Sequence, residues 1–355
     1  MILQLNGMYS LAEIKVELTQ ECPLGCIHCS TRSNRFTKSA LPLEVLNRLL
    51  HEAHRMGAKK VAITGGEPLV YPDLYEVIRT ASALPLATSL YTTGIKNNNL
   101  DPVDQEDVAH LMVSGLGRII FSIYAAKAGI HESITGFPSF APTIKAVERC
   151  IDAALPVEFH FVPLRRNYLQ FGAVVHLAEK LGVSKVSALR FVPHGRGAKL
   201  GDAEQFTADD YREFRIIVEK LRASSSVKVR LGAPMNILGL GHTCCDAAQQ
   251  TLVVNHRGRV FPCDAFKATD YPDPVYGSVI DNTLASVWEK SSYLEAARQL
   301  HRARRNGCGS CPTGCMAQEA VRQGGLQQLI QLSVRRTSRN AHEVAGDLVG
   351  LGASG

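Results

Sequence analysis

The sequence predicts an α/β chain. A partial (β/α)6 TIM-type barrel covers residues 1–235, a small cysteine-rich domain follows at 236–325, and a tail occupies 326–355. Three observations predict this. Six runs rich in Val, Ile, Phe and Tyr alternate with helical patterns. The alternation stops near residue 235, where glycine becomes frequent (Gly232, Gly239, Gly241). Six of the ten cysteines then fall between Cys244 and Cys315.

The runs are Ile14–Thr19, Lys60–Thr64, Leu86–Thr92, Ile119–Tyr124, Val157–Leu164 and Val186–Val192. They read as nearly continuous apolar strands, buried on both faces of a parallel sheet. Helical patterns such as Pro42–Met56 and Tyr168–Leu181 lie between them, the rhythm of a parallel α/β fold. Beyond the boundary, Asn255-His256-Arg257-Gly258 predicts a hairpin turn, and Leu284–Leu300 a helix with Trp288 in the core. Cys150, in a helical pattern, reads as a buried core thiol. The glycine-rich end, from Val344 to Gly355, is expected to fray.

Hydrophobic residues make up 45% and charged residues 20%, which excludes a disordered or fibrous chain. No apolar run reaches the ~18 residues of a membrane span. The N-terminus lacks the features of a secretory signal, so a cytoplasmic location is expected. There thiols stay reduced, and ten cysteines point to metal or catalysis rather than disulfides. The formal charge of +6 arises partly from Arg298–Arg305 and Arg335–Arg339, read as solvated helix faces. No aromatic residues interleave these clusters, so no nucleic-acid partner is expected.

The first strand runs directly into Glu21-Cys22-Pro23-Leu24-Gly25-Cys26-Ile27-His28-Cys29. Three thiolates on one loop are one short of closing a tetrahedral zinc or a cubane. An open position is what a catalytic centre needs. On spacing alone, a structural zinc loop completed by His28 is the alternative. The loop follows a strand, however, and parallel barrels do their chemistry at strand C-termini.

The segment Cys22-x3-Cys26-x2-Cys29 resembles the signature of the radical S-adenosylmethionine (SAM) enzymes. The resemblance implies a [4Fe–4S] cluster on these three cysteines, with SAM chelating the fourth iron. It implies reductive cleavage of SAM to a 5′-deoxyadenosyl radical that abstracts hydrogen from a substrate. It places His28 near the adenine. Gly65-Gly66-Glu67-Pro68, ending the second strand, is similar to the family's motif for the SAM amino group. Ser122 on the fourth strand corresponds to a contact to the SAM ribose or carboxylate, or is a buried serine bonded to backbone. The segment His131–Gly136 is also similar to one common in the family. Asn167 falls where relatives place a polar residue near SAM, or is a turn asparagine. Val192 corresponds to the backbone offered to adenine. Arg190 is a candidate for the SAM carboxylate or the substrate, or is a surface arginine.

Cys245, Gly258 and Cys263, followed by Cys308-x2-Cys311-x3-Cys315, resemble the auxiliary-cluster extension of these enzymes called SPASM, or its shorter form, twitch. This implies at least one auxiliary [4Fe–4S] cluster. Its expected ligands are Cys245, Cys263, Cys308 and Cys311, with Cys315 competing. A second cluster or a zinc site is the alternative, and Cys244 has no assigned role. An electron donor such as flavodoxin or ferredoxin is implied. The expected substrate is a ribosomally made peptide undergoing crosslinking or epimerisation. A small-molecule dehydrogenase of antibiotic or cofactor biosynthesis is the second reading, and a start at residue 22 that leaves no room for a leader-binding domain weighs toward it. A non-catalytic iron–sulfur or zinc scaffold is the third, opposed by the intact Gly65–Pro68 motif. Asp264 and Tyr124 are candidates for a general base.

Overall fold

The computed structural model describes residues 9–241, 245–268, 271–307 and 315–328. The strands are β1 (Glu13–Glu17), β2 (Lys60–Thr64), β3 (Ala87–Thr92), β4 (Arg118–Ser122), β5 (Val157–Phe161), β6 (Lys185–Ala188), β7 (Lys228–Leu231), β8 (Thr251–Val254) and β9 (Val260–Phe261). The helices are α1 (Leu43–Arg55), α2 (Leu74–Ala83), α3 (Gln105–Val113), α4 (Ala128–Thr135), α5 (Phe140–Asp152), α6 (Phe171–Leu181), α7 (Ala208–Ser224), α8 (Leu284–Lys290), α9 (Ser292–Gly307) and α10 (Met316–Arg322). One open, partly barrel-like sheet runs in the order β7-β6-β5-β4-β3-β2-β1-β8-β9. Every pairing is parallel except β8 with β9.

All six predicted strands are present, within a few residues of their expected bounds. Their pattern differs from the expectation of continuous apolar runs. Side chains alternate across a strand. One phase, including Ile14, Val16, Val61, Ile63, Leu90, Phe121 and Phe159, packs with the helices in the main core. The other phase is polar. It carries Lys15, Glu17, Arg118, Glu158, His160 and Lys185, and the parallel register sets Glu158 beside Lys185. Lys185 Nζ lies 2.8 Å from Glu158 Oε1, and Arg118 Nε donates to Ser89 Oγ at 2.9 Å.

The helices follow from local chemistry. Leu46, Leu49, Leu50 and Ala53 place one apolar stripe of α1 in the core. Capping boxes start α3 (Asp104 with Asp107) and α7 (Thr207 with Asp210). Cys150 is fully buried in α5, as its helical pattern predicts. Among the described residues, no helix is long and apolar enough to cross a membrane.

The cysteine-rich segment does not hang free. β8 pairs with β1, and the predicted turn at residues 255–258 joins it to β9. The single helix expected at Leu284–Leu300 breaks at Ser291, whose hydroxyl donates to Asp273 and accepts from Leu294 N, capping α9. Glu52 of α1 accepts from Leu284 N at 2.5 Å, fastening α8 to the barrel. Arg298 corrects its reading as part of a solvated helix face. It is 4% exposed, donates to the carbonyls of Ala248 and Trp288, and lies 4.5 Å over the Trp288 ring, itself in the core.

Candidate active site

The loop after β1 is held from three sides. Cys22 N donates to Asn34 O, Gly25 N to Thr135 O and Ile27 N to Ile134 O, at 2.9–3.0 Å. The C-terminal turn of α4, within the His131–Gly136 segment, thus braces the cysteine loop. From β2, Gly66 N donates to Thr19 O and Glu67 N to Glu21 O. A Cβ on Gly66 would sit 2.0 Å from Glu21 O, so only glycine allows this approach. From β6, Arg196 supplies the third brace. Its backbone N–H donates to Cys29 O, Nε to Cys26 O at 2.8 Å and Nη1 to Ser33 O at 2.6 Å. Beside it Gly195, at φ +63, packs so closely that a Cβ would meet Ser30 O at 2.4 Å.

Cys22, Cys26 and Cys29 all face one cavity of about 250 Å³ at the C-terminal ends of the strands. Burial pushes the Cys22 thiol well up and Cys26 up to about 12, with the neighbouring thiols adding to the shift. Among the described residues, no three His, Cys, Asp or Glu side chains converge as a single-ion site. Three soft donors sharing one cavity wall fit a multi-iron cluster, whose positive charge would offset the burial of thiolates.

The cavity also takes in His28, Gly65, Gly66, Ser122, Arg190 and Val192. His28 stands edge-on to Tyr124, with ring centroids 4.7 Å apart, and its buried Nδ1 has no hydrogen-bond partner. Burial lowers its pKa to about 3, with His160 and Arg196 contributing, so the ring is neutral. Burial raises the Tyr124 phenol well above its usual pKa, with Cys26 adding to the shift and Ser122 opposing it. Arg190 lies 5.8 Å over the Tyr211 ring.

Three expected contacts are placed differently. The Glu67 carboxylate, 0% exposed, does not face the cavity. It accepts from Thr92 Oγ1 (2.6 Å), Thr93 N (2.7 Å), Thr93 Oγ1 (2.6 Å) and Leu69 N (3.1 Å). All of its strong acceptor positions are used to tie the β2 loop to β3, leaving the Gly65-Gly66 backbone to face the cavity. Pro68 begins a buried 3-10 turn behind it. Asn167 is also fully buried behind the wall. It accepts from Leu164 N at 2.6 Å and donates to Tyr124 O and Val162 O, joining the ends of β4 and β5.

Several cavity residues escaped the sequence reading. Lys15, Glu17, Tyr91, His160 and Arg196 all line it. The alternation of polar and apolar residues along β1, β3 and β5 was the available signal. Lys15 lies 5.2 Å over Tyr91, which stands edge-on to His160 at 5.9 Å. Asp264, the residue after Cys263, enters the same cavity. It is bound by Lys15 and by Lys267, the latter at 2.7 Å. These two cations hold the Asp264 carboxyl well below its usual range despite burial. A carboxylate so held is a poor proton acceptor, which argues against Asp264 as the base.

Cys245 and Cys315 lie close enough to Cys263 to act on it electrostatically. Burial, then Cys315 and Cys245, push the Cys263 thiol well up. Cys244, Cys308 and Cys311 lie outside the described residues, as do the tail beyond 328 and the Arg335–Arg339 cluster.

Comparison with known proteins agrees with this geometry. The radical SAM superfamily model matches residues 16–178, and a SPASM iron–sulfur cluster-binding domain model matches 244–313. The chain is 30% identical over 314 residues to the PqqA peptide cyclase of Gluconobacter oxydans, covering 85% of each protein. It is 28% identical over 319 residues to the mycofactocin maturase MftC of Mycolicibacterium smegmatis, covering 85% of this chain and 77% of that one. In fold it is similar to Streptococcus suis SuiB bound to its precursor peptide SuiA. The TM-score is 0.73 at 17% identity, over 90% of this chain and 74% of that one.

Proposed function

Because this chain belongs to the radical SAM superfamily and carries a SPASM iron–sulfur domain, we propose that it is a peptide-modifying oxidoreductase that abstracts hydrogen from a ribosomally made peptide. The family brings a [4Fe–4S] cluster and SAM, and the SPASM domain brings auxiliary iron–sulfur clusters. When bound, the first cluster and SAM supply a carbon-centred radical. In this reading residues 1–235 generate the radical, 236–325 hold the auxiliary centre, and 326–355 form a tail.

The observation that carries the reading is one shared cavity. Cys22, Cys26 and Cys29 form one wall, and Asp264, adjoining Cys263, forms another. A substrate seated there touches the radical source and the auxiliary centre's loop together. The chain's own side chains then have separate tasks. Cys22, Cys26 and Cys29 hold the catalytic cluster. The backbone of Gly65 and Gly66 and the side chains of Ser122 and Arg190 bind SAM, with Val192 and His28 flanking its adenine. Glu67 and Asn167 hold those groups in place from behind. Cys245, Cys263, Cys308 and Cys311 hold the auxiliary centre, with Cys315 competing for one of the four positions. The name of a relative that matches along most of its length, the PqqA peptide cyclase, supports a peptide substrate. Cysteines kept reduced for cluster binding suit a reducing cytoplasm.

The test is to incubate the reconstituted enzyme, SAM and a reductant with candidate precursor peptides and record their masses. Loss of two hydrogens indicates a crosslink or desaturation. Unchanged mass with deuterium uptake from solvent indicates epimerisation. Turnover of a sugar alcohol, with no peptide altered, would replace this reading with the small-molecule dehydrogenase.

A further inference from the structure

The stretch following the third cysteine, Ser30 to Ser39, carries Arg32, Arg35 and Lys38 and no carboxylate. At its tip Phe36 is 88% exposed, the most exposed large hydrophobic side chain among the described residues. Flexibility does not account for this. Asn34 Oδ1 accepts from the backbone N–H groups of Phe36 (2.8 Å) and Thr37 (3.0 Å), fixing the turn. Arg35 donates from Nε to Pro23 O at 2.7 Å, and its guanidinium lies 3.7 Å from the centroid of Phe137. Lys38 pairs with Glu21 yet keeps 69% of its side chain in solvent, and Arg32 is exposed. The loop therefore presents one aromatic ring among cations on a fixed backbone.

The same loop is joined to the cysteine triad. Asn34 O accepts from Cys22 N at 3.0 Å, and Asn34 is two residues from Phe36. Thr31 Oγ1 lies 3.3 Å from Cys29 Sγ. Few bonds separate the exposed tip from the thiols.

We infer that the Arg32–Lys38 loop is the docking surface for an acidic one-electron carrier protein of the flavodoxin type. This rests on the radical SAM assignment but not on the nature of the substrate. The positive rim complements an acidic partner and steers its approach. Phe36 supplies the apolar centre that a small, short-lived interface requires. In each event the carrier is oxidised by one electron and the centre held by Cys22, Cys26 and Cys29 is reduced by one.

Two reductants separate the docking surface from the chemistry. Flavodoxin binding is titrated at low salt for the wild type, Arg32→Glu and Phe36→Asp, and 5′-deoxyadenosine formation is measured with reduced flavodoxin or with dithionite. The expected result is roughly tenfold weaker flavodoxin binding in each variant. Flavodoxin-driven turnover falls in parallel, and dithionite-driven turnover stays at the wild-type rate. Raising the salt removes the wild-type advantage. Unchanged flavodoxin binding in both variants overturns the inference. So does a result in which only an acidic precursor peptide loses affinity. Absence of 5′-deoxyadenosine from the wild type under dithionite would instead overturn the family-based chemistry, independently of this surface.

Discussion

Lys267 donates to Glu17 across 250 residues of sequence, and each side chain is only 5% exposed. Glu17 ends the strand that leads into the cysteine triad, and Lys267 lies four residues after Cys263. The two centres are thus clamped together by one buried ion pair, which Asp264 and Lys15 extend into a chain of four charges. Burial alone would lower the Lys267 pKa, but Asp264 and Glu17 raise it above its usual value and keep the ammonium charged.

Breaking that clamp on one side strands a buried charge. Lys267→Met is expected to destabilise the protein by about 3–5 kcal/mol in urea denaturation. The double variant Glu17→Leu, Lys267→Met should lose clearly less than the sum of the single variants. Additive losses would show that the pair is not coupled.

Glu67→Ala leaves the hydroxyls of Thr92 and Thr93 and two backbone N–H groups without their acceptor. A loss of about 2–4 kcal/mol is expected, read as a lower melting temperature. SAM affinity should fall as well, measured by equilibrium dialysis, because the Gly65-Gly66 backbone is no longer pinned. A variant with full stability and weakened SAM binding would instead make the carboxylate a direct ligand.

Arg196 should act through the shape of the cysteine loop. Iron retention against a chelator is expected to rank wild type above Arg196→Lys above Arg196→Met, since lysine keeps the charge but cannot span both carbonyls. The electron paramagnetic resonance line shape of the reduced centre should change in the same order. Identical retention in all three proteins would remove Arg196 from this role.

Cys22→Ala, Cys26→Ala and Cys29→Ala should each abolish 5′-deoxyadenosine formation and lower iron by about four atoms per chain. Cys263→Ala should lower iron while leaving SAM cleavage in place. Zinc without iron or sulfide in the wild type would restore the zinc-loop reading.

His131 gives a pH signature. It is 1% exposed, and burial lowers its pKa to about 4 from an ordinary 6.5. Between those values the unfolded chain binds a proton that the native ring refuses, so stability falls as pH drops from 6.5 toward 4. The slope is up to about 1.4 kcal/mol per pH unit, and above 7 the effect vanishes. His131→Gln keeps an acceptor for Tyr124 N and should reduce the slope of denaturation curves between pH 4.5 and 7.5 by up to one proton's share, leaving that of the buried His28 and His160.

What the sequence disclosed follows from how far apart the interacting residues lie. The cysteine triad and the Gly65-Gly66 pair were legible because their chemistry is confined to single loops. The six strands were legible from composition. Glu67 was identified but aimed wrongly, because Thr92 and Thr93, which claim its carboxylate, sit on the next strand. Arg196 carried no local signal, because its partners lie 163–170 residues away, and Lys267 showed only its i,i+3 partner Asp264, while Glu17 lies 250 residues away. Lys15, Glu17 and His160 were hidden by reading their strands as evenly apolar, when the period of two already marked them as facing a cavity.

The pairing of β8 with β1 has one more consequence. Without it, the strand that delivers Cys22 would end the sheet and expose a bare row of amides and carbonyls. Such an edge is a template for another copy of the chain. The cysteine-rich segment is therefore also a guard against self-association. A polypeptide severed between β7 and β8 should precipitate or assemble through β1, well before the loss of any chemistry could be measured.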